Sequence, residues 1–265
     1  MLKLYTESLS VFHRAFTCLE GVVEPPVKVK LGSDYVYRYQ NQSIKAAILQ
    51  KLARVISGIE ALLVLLEKGF LQELCVIFRT LDEFNQDILF LCEAVEKDQL
   101  SELHQRFLDI FYQEEFDKPD NPFLSEQNRP SIPRQKIQAE IAKIFTNEIN
   151  PSDGQEVFRT LSKGYSGYVH GASSHIMEMY GGNPPKFHLS GMRNTPLFQS
   201  SFEDTWNYFY RSLLSMMRIA QVFNMQELSI MLKSFRDHFE EQFDQTEWVH
   251  PEKSLKNLKH SNVQK

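Results

Sequence analysis

The sequence predicts an all-α fold, a multi-helix bundle of about eight helices with a long helical hairpin at its centre. Three observations point there. Apolar residues recur at intervals of three and four through most of the chain, the repeat of an amphipathic helix. Strand-like alternation is confined to "VKVKL" at 27–31. The proline clusters fall between the periodic runs, where a chain that cannot continue a helix must turn.

The elements follow in order. Leu9, Phe12, Phe16 and Leu19 form one face of a first helix, which ends near Gly21 and the Pro25–Pro26 pair. A second helix, about 41–68, carries Ile48, Leu52, Val55, Ile59, Leu62 and Leu66, spaced by four and three as in a packing seam. Gly69 closes it, because glycine enters the left-handed conformation without a steric penalty. The third helix, about 70–97, therefore returns antiparallel to the second through a short turn.

A fourth helix, about 99–116, uses Leu100, Leu103, Phe107, Ile110 and Phe111. The proline-rich stretch 117–133 reads as an exposed connection and as the best internal boundary in an otherwise single domain, 1–250. A fifth helix, about 134–148, leads to Asn150 and Pro151, a cap and first-turn pair for a sixth that runs to His170–Gly171. After an irregular stretch at 180–198, Ser200 and Glu203 make a capping-box pattern for a seventh. Its inner face is Phe202, Trp206, Phe209, Leu213, Met216, Ala220 and Phe223. The eighth, about 225–243, repeats the pattern with Leu228, Met231, Leu232, Phe235 and Phe239. The polar tail 251–265 is expected to be disordered.

Composition narrows the function classes. The 265 residues are 42% apolar and 24% charged, ordinary for a soluble globular chain. A net charge of −5 argues against coating nucleic acid nonspecifically, while leaving a local basic groove open. Three cysteines, Cys18, Cys75 and Cys92, sit among apolar residues with no CxxC pair, so free thiols in a reducing compartment are expected. The longest strongly apolar run, "ALLVLL" at 61–66, is too short for a bilayer, and no signal-peptide pattern opens the sequence. A cytoplasmic protein without a membrane partner is the expectation.

The candidate site begins in the third helix. "CVIFRTLDEFNQDILFLC" is apolar at both ends, yet its middle carries Arg79, Asp82, Glu83, Gln86 and Asp87. At about 100° per residue, Arg79, Glu83 and Gln86 share one stripe, capped by apolar residues above and below. Partial burial follows, with Arg79 and Glu83 placed to pair as i, i+4 neighbours. A structural ion pair and a functional site both fit this pattern.

"YSGYVHGASSH", 165–175, is the second feature. His170 ends the sixth helix beside small residues that allow a close approach, and imidazole exchanges a proton near neutral pH. Read alone, it is a histidine favoured by the helix dipole. Metal readings are weaker: the histidines of "HGASSH" are five apart, and "EWVH" supplies one Glu-x-x-His where a di-metal bundle needs two. No metal and no cofactor are expected, and no phosphate loop, GxSxG elbow or Cys–His pattern occurs.

"FRTLDEF" in a hydrophobic helix followed by "YSGYVHGA" resembles a group of uncharacterised bacterial helical proteins, over residues 45–175. That resemblance implies an intracellular helical domain and supplies no activity. A more distant likeness is to HEPN-type helical ribonucleases of toxin and phage-defence systems, which carry an Arg with a His four to six residues later. Here the arginine nearest before His170 is Arg159, so Arg79 would have to supply that group from another helix.

Two functional readings stay open. In one, Arg79, Glu83 and His170 converge as a catalytic set on an anionic substrate, with RNA the leading partner and a stress or defence role. Asp82, Tyr165, Ser166, His175 and Arg193 would then bind substrate, under a cover formed by 180–198. In the other, the bundle is a noncatalytic sensor or interaction module, with a protein partner or a second copy, and the polar cluster fixes helix register.

Overall fold

Caps and glycines set the frame that the apolar seams then bury. The computed structural model describes residues 2–144 and 151–242. Among these it holds nine α-helices, one 3-10 turn and two small two-stranded sheets, an all-α bundle. Helix α1, Leu2–Glu20, leads into a hairpin of β1, Val27–Leu31, and β2, Asp34–Arg38. Helix α2, Ile44–Lys68, starts where the Ser43 hydroxyl accepts from Ala46 N at 3.2 Å. Gly69, at φ 77°, ends it in the left-handed conformation and turns the chain into α3, Leu71–Glu96.

Helix α4, Glu102–Tyr112, is followed by a long connection with a single 3-10 turn at Pro122–Leu124. Then come α5, Arg134–Ile144, α6, Pro151–Val169, and a five-residue α7, Ser173–Met177. Strands β3, Tyr180–Gly181, and β4, Lys186–Phe187, form a minimal ladder. Helix α8, Pro196–Val222, and α9, Gln226–Gln242, complete the chain.

The six seam residues of α2 are fully buried, as are Trp206, Phe209, Leu213, Met216 and Ala220 of α8. Each such large side chain contributes about 1.5–3 kcal/mol on leaving water, which makes the α2–α3–α8 interior the main source of stability. Helix α3 is the centre: it touches α2, α5, α6 and α8. Gly58 brings α2 close to it, since a Cβ there would stand 2.8 Å from Leu81 Cδ2.

Some elements differ from the sequence reading. The hairpin partner β2 and the short α7 are additional. Helix α8 begins at Pro196 after Thr195, not at Ser200, whose hydroxyl donates to Leu197 O inside the helix. Leu100 precedes α4 and is exposed. The segment 180–198 is anchored at the α2–α3 turn. Met192 N donates to Gly69 O at 2.7 Å, and a Cβ on Gly191 would stand 2.2 Å from Lys68 O. The Asn150 cap and the tail 251–265 lie outside the described residues. No described helix is long and apolar enough to cross a membrane.

Candidate functional site

The charged middle of α3 faces four helices at once, and each polar group there meets its complement. Arg79 reaches α6: its Nη1 donates to Ser162 O at 2.7 Å and to Ser162 Oγ at 3.0 Å. Its Nη2 lies 3.3 Å from Glu83 Oε1, the i, i+4 pair that the sequence predicts, and both side chains are partly exposed.

Asp82 faces the interior and is only 2% exposed. Tyr208 OH of α8 donates to its Oδ2 at 3.1 Å, and Arg211 Nη1 lies 2.5 Å from its Oδ1. Burial pushes the Asp82 carboxyl above its ordinary range, against the opposing pull of Arg211 and Tyr208. Burial, reinforced by the Asp82 charge, drives the Tyr208 phenol far upward, so that it remains a donor. The Tyr208 ring stacks on Phe78 at 4.1 Å, the Tyr165 ring of α6 meets Phe78 edge-on at 5.7 Å, and the Arg211 guanidinium lies 5.4 Å from the Tyr208 ring.

One turn along, Asn85 accepts from Ser215 Oγ at 2.6 Å and donates to Leu81 O at 2.9 Å. Asp87 lies between two cations: Lys51 Nζ of α2 at 2.7 Å and Arg134 Nη1 of α5. Arg134 also donates to Glu83 O at 3.1 Å and Gln86 Oε1 at 3.0 Å, and Gln138 donates to the same Gln86 oxygen at 3.2 Å. Lys51 is further held above the rings of Phe84, Phe107 and Phe111.

Residues 167–178 make a neighbouring cluster at the end of α6, joined to the first through Tyr165, whose ring lies 6.3 Å from that of Tyr168. His175 packs edge-on against Tyr168 at 4.3 Å and over Gly167, where a Cβ would come within 2.2 Å of its ring. Tyr168 OH donates to Glu178 Oε2 at 2.8 Å, and Gln72 of α3 donates to the same oxygen at 3.4 Å. Cys75 lies beside Tyr168, its thiol pushed up to about 12 chiefly by burial, so it is not an activated nucleophile.

The geometry thus brings Arg79, Glu83, Asp82 and Tyr165 into one neighbourhood on α3 and α6. It does not join His170 to them. His170 is exposed just past the end of α6, eight residues beyond Ser162, or about 12 Å along the helix axis. No hydrogen bond or ion pair links its ring to Arg79 among the described residues. Ser166 is partly buried, and its carbonyl accepts from His170 N at 3.1 Å. Arg193 is exposed, with its backbone against Gly69 at the α2–α3 turn.

The partners that sequence reading missed are Tyr208 and Arg211 on α8, Lys51 on α2 and Arg134 on α5. The signal for α8 was present. Ser201, Thr205, Tyr208, Ser212 and Ser215 recur at steps of four and three and are all buried. Ser201, Thr205 and Ser212 return their hydroxyls to the carbonyl four residues back, which keeps a small polar face against α3.

No group of three or more His, Cys, Asp or Glu among the described residues is placed to hold a metal ion. Compared with family models, curated proteins and solved structures, the chain finds no match.

Proposed function

We propose that the protein is a noncatalytic helical binding module in which the polar centre of α3 fixes the register of the surrounding helices. One observation carries this reading: the buried Asp82, Asn85, Gln86 and Asp87 of α3 are matched by groups from α2, α5 and α8, and Arg79 is spent on Ser162 and Glu83. A catalytic arginine has to present its fork to substrate, and an acid–base histidine has to stand within hydrogen-bond reach of the transferred proton. Arg79 caps a helix-to-helix contact instead, and His170 stands off it.

The ribonuclease reading, with Arg79, Glu83 and His170 acting on RNA, is tested by the same experiment. Purified protein, with His170→Ala and Arg79→Met alongside, is incubated with RNA in excess chelator. The binding-module reading expects no cleavage by any of the three. It also expects a lower melting temperature for Arg79→Met and an unchanged one for His170→Ala. Cleavage by the wild type that is lost in His170→Ala would replace this reading by the enzymatic one.

A further inference from the structure

The β1–β2 hairpin carries a face that the bundle does not use. In register, Lys28 pairs with Tyr37 and Lys30 with Tyr35, and because side chains alternate along a strand these four project from one side. All four are exposed; the tyrosines, at 56% and 67%, are among the most exposed rings of the described residues. Val27, Val29, Leu31 and Val36 alternate with them and are less exposed. The contacts that tie the hairpin to the connection after α4 come from Ser33 and Arg38. They leave the two tyrosines and two lysines of the other face unused.

The hairpin is also held in place. At its turn, Ser33 N donates to Asp120 Oδ1 at 2.6 Å, and Gly32, at φ 61°, sits so close that a Cβ would clash with the Asp120 carboxylate. At its open end Arg38 grips Glu114 through both forks, Nε–Oε1 at 2.5 Å and Nη2–Oε2 at 2.9 Å. A fixed platform loses little freedom when it binds.

We infer that the Lys28/Lys30/Tyr35/Tyr37 face binds single-stranded nucleic acid. Rings exposed beside cations are the recurring solution for single strands, in which bases stack on aromatics and phosphates meet ammonium groups. Tyr35 and Tyr37 lie two residues apart on one strand, about 6.6 Å, a spacing that lets successive bases of an extended strand use successive rings. Lys28 Nζ lies 4.8 Å from the Tyr35 ring centroid, so cation and ring form one unit. Charge supports the same occupant. Arg38 is neutralised by Glu114 on the other face, and the proposed face itself carries Lys28 and Lys30 with no acidic residue among its four side chains, within a protein of net charge −5. The attraction is local, which suits a short strand better than a long duplex. A purely acidic peptide would use the lysines and leave the tyrosines without a role.

This inference names the partner of the binding module proposed above. The test measures anisotropy of a fluorescein-labelled oligouridine RNA and an oligothymidine DNA, for the full chain and two double variants. Tyr35→Ala with Tyr37→Ala should weaken binding about tenfold or more, since each stacked base is lost with its ring. Lys28→Gln with Lys30→Gln should flatten the plot of log affinity against log salt by about 1.4, two cations at about 0.7 each on a single strand. Both variants should melt as the wild type does, because their side chains face solvent.

Absence of binding at low salt, or equal binding by all three proteins, overturns the inference. Loss with the lysine changes but not with the tyrosine changes also overturns it, and reduces the binding to a nonspecific contact between ammonium groups and phosphates. Cleavage of the RNA by a wild type whose binding still depends on the tyrosines supports the surface and overturns only the noncatalytic reading.

Discussion

Neutral imidazole offers one donor and one acceptor, and His104 uses both. Its Nε2–H donates to Phe90 O at 3.0 Å, and its Nδ1 accepts from the Ser101 hydroxyl at 2.7 Å. Ser101 Oγ in turn accepts from His104 N at 3.3 Å, closing the capping box that starts α4. The ring stacks on Phe90 at 4.0 Å and is buried. The Ser101 backbone N–H also donates to Nδ1 at 3.4 Å, so protonation there would set donor against donor, and burial already lowers the His104 pKa from its ordinary 6.5. With the folded pKa below the unfolded one, the unfolded chain binds more protons between the two values. The contribution of His104 is therefore complete above about pH 6.5 and is lost as pH falls through the folded value. Denaturant titrations from pH 8 to 5 should show wild-type stability dropping below pH 6.5. His104→Gln should start less stable and lack that part of the slope. A parallel slope in the variant would assign the acid sensitivity to other groups.

At the scale of elements, the Asp87 clamp joins three helices through one carboxylate. Lys51 and Arg134 lose their common counter-ion in Asp87→Ala, leaving two largely enclosed cations; the cost should be about 3–5 kcal/mol in a urea titration. Arg134→Met keeps volume at the start of α5 and leaves Lys51 to neutralise Asp87, so it should cost clearly less. Equal effects would mean that packing rather than charge holds α5. The sequence revealed α3 as the polar-centred helix, and its Arg79–Glu83 pair, because both are questions of spacing within one helix. It did not reveal Lys51, Arg134, Tyr208 or Arg211, since which helices meet α3 is decided by tertiary packing. The β1–β2 hairpin is a different case. "VKVKL" and "DYVYR" flank Gly32–Ser33, a two-residue turn pair of the kind that joins hairpin strands, and only the second strand was overlooked. The placement of His170 away from Arg79 had no local signal at all.

For the whole molecule, the open question is whether the chain unfolds as one unit or parts at the connection 117–133. The packing favours one unit. Helix α3 contacts α2, α5, α6 and α8, so elements on both sides of that connection share one interior through it. Trp206 reports from the far side of that interior, stacked between Tyr210 at 4.9 Å and Phe239 at 5.3 Å. In a Trp248→Phe background it is the sole tryptophan, while far-UV circular dichroism follows all helices together. If the chain is cooperative, both signals should give one coincident midpoint, as two-state behaviour requires. Asp87→Ala, made on the α2–α3–α5 side, should then lower the Trp206 midpoint as much as the helical one, because α8 cannot stay packed on an α3 that has come loose. Separated midpoints, with Trp206 unmoved by Asp87→Ala, would make 117–133 a true boundary between two folding units.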